Sequence, residues 1–206
     1  MYLTKVKHLP NAVELTIDGE KAGRIDPAEY YRLNLSEEEP LDEATVEKIR
    51  ELARDFTAKS KALSSLASAD FSKRGLERRL RQKGIDEQKA RETVDYFAER
   101  GYVSDEMFAR RIVTAYSVEK HFGRRRVAQE LYKRGIAREA ADAALEQYAL
   151  PDEENIALFF ERYRSWDLSD QKMRARASNA LLRYGYQFED IRQVLRDCEE
   201  REDYIE

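Results

Sequence analysis

The sequence predicts an all-α protein built from tandem helical repeats, with a small β-hairpin appendage at its N-terminus. Three observations predict this: a basic cassette that recurs about every fifty residues, a run of 110 residues without proline, and an alternating strand pattern confined to the first forty. The cassette Leu80-Arg81-Gln82-Lys83-Gly84-Ile85 returns as Leu131-Tyr132-Lys133-Arg134-Gly135-Ile136. It returns again as Leu181-Leu182-Arg183-Tyr184-Gly185-Tyr186, the glycines standing 51 and then 50 residues apart. An apolar residue, Val94, Leu145 or Leu195, follows each glycine by ten positions. Each copy reads as a basic helix that stops at a glycine and gives way to a second helix. A period of this size marks supersecondary units that cover one another's apolar faces, and it favours an extended binding surface over a closed catalytic pocket.

Along the chain, Val13, Leu15 and Ile17 alternate with polar residues up to Asp18-Gly19, a favoured hairpin turn, and a return strand through Lys21 to Ile25 completes the hairpin. Pro27 and Pro40 then break the chain around the acidic run Glu37-Glu38-Glu39. A first helix is expected from Asp42 as N-cap, with Val46, Ile49, Leu52, Ala53 and Phe56 on one face, running on or bending towards Ala62, Leu63 and Leu66. The next is expected from Ser72 to Gly84. Asp86 then caps a helix with Ala90, Val94 and Phe97 inward, and Ser104 caps one bearing Phe108, Ile112, Val113 and Tyr116. Gly123 opens the second basic helix, with Val127 and Leu131 inward, and Ala140, Ala141, Ala144 and Leu145 line its successor. After Pro151 the third unit is expected from Ile156 through Trp166, restarting at Ser169, reaching Gly185 and finishing near Leu195, with a fraying charged tail after Cys198. That makes about nine helices. The division expected is residues 1–40 for the hairpin, 41–101, 102–150 and 151–206 for the repeats, the last with an acidic tail.

Composition bounds the function. With 42% hydrophobic and 38% charged residues, and a mean hydropathy of -0.79, the chain has a core and a high proportion of surface. The single cysteine, Cys198, excludes an internal disulfide framework and reads as a small apolar filler; a reducing cytoplasm is the expected location. No apolar run approaches the roughly 20 residues that span a bilayer, and no signal-peptide core follows Met1, so no membrane association is expected. The net charge of -4 hides a strong asymmetry. Residues 1–60 hold 13 acids and 9 bases, residues 73–91 hold 8 bases and 3 acids, residues 172–183 hold four bases and no acid, and residues 187–206 hold 8 acids and 3 bases. Local charge decides which surfaces meet a polyanion, while the acidic total argues against strong indiscriminate DNA binding.

Catalysis finds little support. His8, His121 and Cys198 are far apart, so zinc-type ligand spacing is absent, as are phosphate-loop and nucleophile-elbow motifs. No metal or other cofactor is expected. Carboxylates sit among bases at helical spacing, as Glu130 does beside Lys133 and Arg134. His121, next to Phe122 where a helix ends, suits a capping or partly buried role better than proton transfer. Tyr30-Tyr31, Tyr96-Phe97, Phe159-Phe160 and Trp166 read as core rather than as base-stacking platforms. The candidate binding residues are instead the cations of the three basic helices: Arg74, Arg78, Arg79, Arg81 and Lys83; Arg124, Arg125, Arg126, Lys133 and Arg134; and Arg174, Arg176 and Arg183. Arg74, Arg78 and Arg81 share a helix face, and guanidinium forks bind phosphate or carboxylate. A solvated face paired with nearby acids explains any one of these arginines; recurrence in three helices points to a shared function.

The middle stretch resembles the RecX family of bacterial regulatory proteins. The resemblance rests on Gly101-Tyr102-Val103-Ser104-Asp105 with Phe108-Ala109, then Gly123 through Arg126-Val127, Glu130-Leu131 and Lys133-Arg134-Gly135-Ile136. Ala62-Leu63 with Leu66, Ser72 and Leu76 is similar to the family's first repeat, and the likeness covers about residues 42–200. It implies three-helix repeats forming an elongated, curved body, and a modulator in DNA repair and the SOS response rather than an enzyme. It further implies a monomer that binds the RecA filament and limits its ATPase, recombinase and co-protease activities, with DNA as a possible further contact. The alternative is a helical module that binds nucleic acid directly. One departure stands out: Gly75 replaces the glutamate that closes a capping box with Ser72, so the first basic helix is expected to fray at its start unless packing holds it.

Overall fold

The computed structural model describes residues 1–162 and 170–202. An antiparallel sheet of order β1-β2-β3 comes first, from β1 (Leu3–Leu9), β2 (Ala12–Ile17) and β3 (Glu20–Ile25). The hairpin expected from the sequence is β2 and β3; β1 is additional. Its apolar residues escape the two-residue rhythm because a register shift falls between Leu3 and Lys5, so Leu3 and Val6 both face β2's core side, opposite Ile17 and Leu15. Leu3, Val13, Leu15, Ile17 and Ile25 form one buried cluster with Val46, Ile49 and Ala53 from the first long helix.

Ten α-helices follow. α1 (Pro27–Arg32) stands where only a chain break was expected, because Pro27 occupies the first helical turn and Asp26 caps it, accepting the Ala28 N–H. α2 (Glu43–Leu66) is continuous over 24 residues and is capped by Asp42. α3 (Lys73–Gln82) and α4 (Glu87–Glu99, capped by Asp86) flank Gly84. α5 (Asp105–Val113, capped by Ser104) widens into a π-helical turn over Thr114–Val118. α6 (Arg124–Lys133) and α7 (Arg138–Tyr148) flank Gly135. α8 (Asp152–Arg162), α9 (Gln171–Tyr184) and α10 (Phe188–Glu202) complete the order. α9 is capped by Asp170; the expected Trp166 end and Ser169 restart lie outside the described residues, as does the Cys198 side chain. α10 runs past the expected stop near Leu195 to Glu202, since the arginines and glutamates that follow are strong helix formers. No described helix is long and apolar enough to cross a membrane.

The chain forms two compact units: residues 1–70 with 76–102, and residues 71–75 with 103–206. In the first, Gly23, at a φ of 129°, brings β3 onto α2, so that a Cβ there would lie 2.6 Å from that of Ala53. In the second, Val113, Val127, Leu131, Ile136, Ala141 and Leu145 make one core, and Ile156, Phe159, Leu181, Tyr186, Ile191 and Leu195 another.

The cassette glycines all have positive φ, at 80° for Gly84, 87° for Gly135 and 96° for Gly185. Their surroundings differ. A Cβ on Gly84 meets nothing within 4 Å, one on Gly135 meets the Arg74 side chain from 3.0 Å, and one on Gly185 lies 2.7 Å from the Arg126 backbone nitrogen. Gly123 has an ordinary φ of -65°, but its Cβ would sit 2.6 Å from the Gly185 carbonyl carbon. Gly84→Ala is therefore expected to cost about 1 kcal/mol, the strain of one left-handed residue. Gly123→Ala is expected to cost about 3 kcal/mol by overpacking against backbone that cannot step aside. Urea denaturation of the two full-length variants checks the order; equal costs would refute the close approach.

Candidate functional site

The three basic helices sort their cations into two kinds. On α3, Arg74, Arg78, Arg79 and Arg81 are exposed and Lys83 is half-buried. Lys83 turns inward, where its Nζ donates to Ser65 Oγ at 2.8 Å. Arg81 lies 3.9 Å from the Glu87 carboxylate, whereas Arg78 and Arg79 have no side-chain partner among the described residues. On α6, Arg124 and Arg125 point to solvent, while Arg126 is turned in over the Phe122 ring at 3.8 Å and donates to the Arg183 carbonyl at 3.1 Å. Lys133 and Arg134 share Glu130, at 3.1 and 2.5 Å, and Arg134 also donates to the Tyr116 hydroxyl. Partial burial works against the Glu130 carboxylate, yet these two hydrogen bonds hold its pKa below the ordinary range.

On α9 the arrangement is the most open. Lys172, Ala175, Arg176, Asn179, Leu182 and Arg183 line an open groove of about 820 Å³, all of them exposed. Three cations flank small or neutral residues here, with no acid among the described residues of the lining. Arg183 is steadied by its Nε bond to the Asn179 carbonyl at 3.3 Å, and Arg174 is half-buried and engaged. Thus Arg78, Arg79, Arg124, Arg125, Arg176 and Arg183 are presented outward, and Lys83, Arg126 and Arg134 serve the fold.

The ends of α6 and α9 are met by a network at the starts of α3 and α6. Ser72 Oγ donates to the Arg134 carbonyl in a short hydrogen bond and accepts the Gly75 N–H at 3.0 Å. Asp105, at the start of α5, accepts the Lys73 N–H at 2.7 Å. The first turn of α3 is thereby capped by a distant aspartate, and a Cβ on Gly75 would lie 2.9 Å from the Ser72 Oγ. Asp152, at the start of α8, does the same for the Arg124 N–H at 3.1 Å. Burial pushes the Asp152 pKa up, with Asp190 adding to the effect.

His121 belongs to this network as a joint residue, with a positive φ of 54°. Buried Asn155 donates from Nδ2 to the Ser117 carbonyl at 2.9 Å, so its Oδ1 faces His121 Nδ1 at 2.8 Å and the imidazole is the donor. The Tyr186 hydroxyl donates to the His121 carbonyl at 2.8 Å. Asp105, Asp152, Asn155 and Tyr186 were not legible as a set, because each acts on a residue 28 to 65 positions away. Tyr96 packs on Phe97 at 5.3 Å and Phe159 on Phe160 at 5.8 Å, but of the Tyr30-Tyr31 pair only Tyr30 is buried, since Tyr31 at the exposed side of α1 stacks on His8; Trp166 lies outside the described residues.

Residues 104–145 match the family model described as RecX, second three-helix domain. The chain is 33% identical over 138 residues to the regulatory protein RecX of Trichlorobacter lovleyi, a match covering 65% of this chain and 90% of that protein. It is 24% identical over 200 residues to the RecX of Caldanaerobacter subterraneus, covering 95% and 98% respectively. A crystal structure of a regulatory protein RecX aligns over 94% of this chain and 98% of its own, with a TM-score of 0.69 and 17% identity. The RecX structure from Lactobacillus salivarius aligns over 71% and 97%, with a TM-score of 0.61 and 18% identity. These solved structures share the helical fold.

The joint makes a pH prediction. Burial raises the Tyr186 pKa above the ordinary phenol value of about 10. The folded state therefore holds this proton more tightly than the unfolded state does, and its contribution is lost as pH rises above about 10. Tyr186→Phe is expected to cost about 1–2 kcal/mol at neutral pH, because the His121 carbonyl loses its donor. Its denaturation midpoint should also fall less steeply than the parent's between pH 9 and about 11; parallel curves would refute the assignment.

Proposed function

The chain belongs to the RecX family of regulatory proteins, and from that premise we propose that it binds the filament formed by the RecA recombinase on DNA and restrains its recombinase, ATPase and co-protease activities. The reading takes the chain as three repeats, residues 41–101, 102–150 and 151–206, each carrying one basic helix, and as a cytoplasmic monomer acting by binding rather than by catalysis. Its curated relatives bear the name of regulatory proteins.

The observation that carries the proposal is the α9 groove, where Lys172, Arg176 and Arg183 stand on one helix face with no acid among the described lining residues. Arg78, Arg79, Arg124 and Arg125 support it, being exposed cations on helix faces. A nucleoprotein filament offers both phosphates and carboxylates, and an exposed guanidinium pairs with either.

DNA-dependent ATP hydrolysis by the cognate recombinase, with this protein titrated in, tests the reading directly. The expected result is a falling rate, together with co-sedimentation with filaments; an unchanged rate without co-sedimentation would end it. Replacing Arg176 and Arg183 with alanine removes two exposed charge contacts, for an expected loss of about tenfold in inhibitory potency. Arg126 is unsuitable for this purpose, since its guanidinium belongs to the joint.

A further inference from the structure

A second set of cations is carried by the sheet and not by the basic helices. Residues 1–60 carry more acids than bases, but the strand register separates the two. Leu3, Val6 and His8 oppose Ile17, Leu15 and Val13; Leu3, Val6, Val13, Leu15 and Ile17 pack on the core, and exposed His8 lies on the same side against the Tyr30 and Tyr31 rings. Lys5 opposes Thr16 and Lys7 opposes Glu14 on the other face, where Glu14 also opposes Arg24 and Thr16 opposes Lys21. That face gathers four cations around one carboxylate. Lys5, Lys7, Lys21 and Arg24 are all exposed, whereas Glu14 is only 18% exposed between them. Arg24 Nε donates to Glu14 at 3.2 Å and Lys21 Nζ lies 3.9 Å away, while Lys5 and Lys7 have no ion-pair partner among the described residues.

The acids of the same segment lie elsewhere. Asp18 and Glu20 sit at the β2–β3 turn, and the run Glu37-Glu38-Glu39 lies along the outer edge of β1, where Glu37 accepts the Val6 N–H and the backbone of Glu38 and Glu39 pairs with Leu3. We infer that the outer face of the sheet is a docking surface for the phosphate backbone of a nucleic acid. A planar group of cations with a net charge of +3 complements a polyanion. Nucleic acid is favoured over an acidic protein because protein interfaces are anchored by a desolvated apolar or aromatic centre. Here the cations surround only Glu14 and Thr16; Leu9 and Ala12 sit aside at the β1–β2 turn, and exposed Tyr2 stands at the corner before β1 rather than at the centre. Lysines on a flat face make point-charge contacts with phosphates and carry no base-reading fork, so binding here is independent of sequence.

This surface is separate from the helical one, and its test is separate from the recombinase assay. Binding of a labelled oligo-dT strand to the full chain is measured by fluorescence anisotropy across a salt series. Three proteins are compared: the parent, Lys5→Gln with Lys7→Gln, and Arg176→Gln with Arg183→Gln. Losing two phosphate contacts from the sheet is expected to make the slope of log affinity against log salt shallower by about 1.4. The change should come without a shift in the urea midpoint, because both lysines are exposed. No binding by the parent at low salt would overturn the inference. So would a parental slope in the lysine variant, or losses confined to the arginine variant. Displacement of the strand by poly-glutamate at equal charge concentration would overturn the choice of nucleic acid. A lysine variant that loses DNA while still inhibiting the recombinase upholds this inference and leaves the filament reading intact.

Discussion

The constraint on which this structure depends is the disposal of the carbonyl groups at the end of each basic helix. A helix end leaves acceptors without intrahelical donors, and a helix start leaves donors without acceptors. Within the second unit the chain joins one to the other. The Arg134 carbonyl, one residue before Gly135, accepts from Ser72, and the Tyr184 carbonyl, one residue before Gly185, accepts from the Gly123 N–H at 3.0 Å. Asp105 and Asp152 then take the next backbone donor of each incoming helix. The glycines are required for more than a left-handed φ. At Gly185 the incoming Arg126 backbone comes so close that a side chain would have nowhere to go, and at Gly135 a Cβ would press on the Arg74 side chain from 3.0 Å. A repeat of about fifty residues is what such a joint produces, since each basic helix must find the end of the next one along.

The first cassette meets the same need from within. The Lys83 carbonyl, one residue before Gly84, accepts from Lys61 Nζ at 2.6 Å, and the space over Gly84 is open. A lysine on α2 thus supplies the donor that a preceding helix supplies elsewhere. It also explains why Lys83, although part of the basic cassette, is drawn inward and contributes little to any outer surface.

Much of this was legible in the sequence. Asp42, Asp86 and Ser104 announce helix starts through local capping chemistry, and the spacing of Val46, Ile49 and Ala53, or of Val127 and Leu131, marks the buried faces. β1 was hidden because its register shift breaks the alternation, and α1 because proline reads as a breaker when it is also a good first residue of a helix. The joints were hidden for another reason. Their bonds span 28 to 65 residues, and nothing within one helix signals that its first N–H is capped by an aspartate from another. Sequence could gather the thirteen cations but could not sort them, since Arg125 and Arg126 are neighbours in the chain and differ only in which way the helix turns them.

That sorting carries the functional argument. An arginine whose guanidinium covers an aromatic ring and donates to a backbone carbonyl, as Arg126 does over Phe122 and to Arg183, is part of the fold. Removing it would disturb the helix that presents Arg124 and Arg125, so a loss of binding in such a variant would say nothing about contact. The cations free to meet a partner are those whose neighbours ask nothing of them, and the acid-free side of α9 has more of these than a paired surface would leave. Exposed charge pairs gain little because water screens them; charges left unpaired on a rigid helix keep their field for whatever arrives. The fold can leave them so because its stability rests on glycine-lined joints and apolar cores, and not on neutralising its own surface.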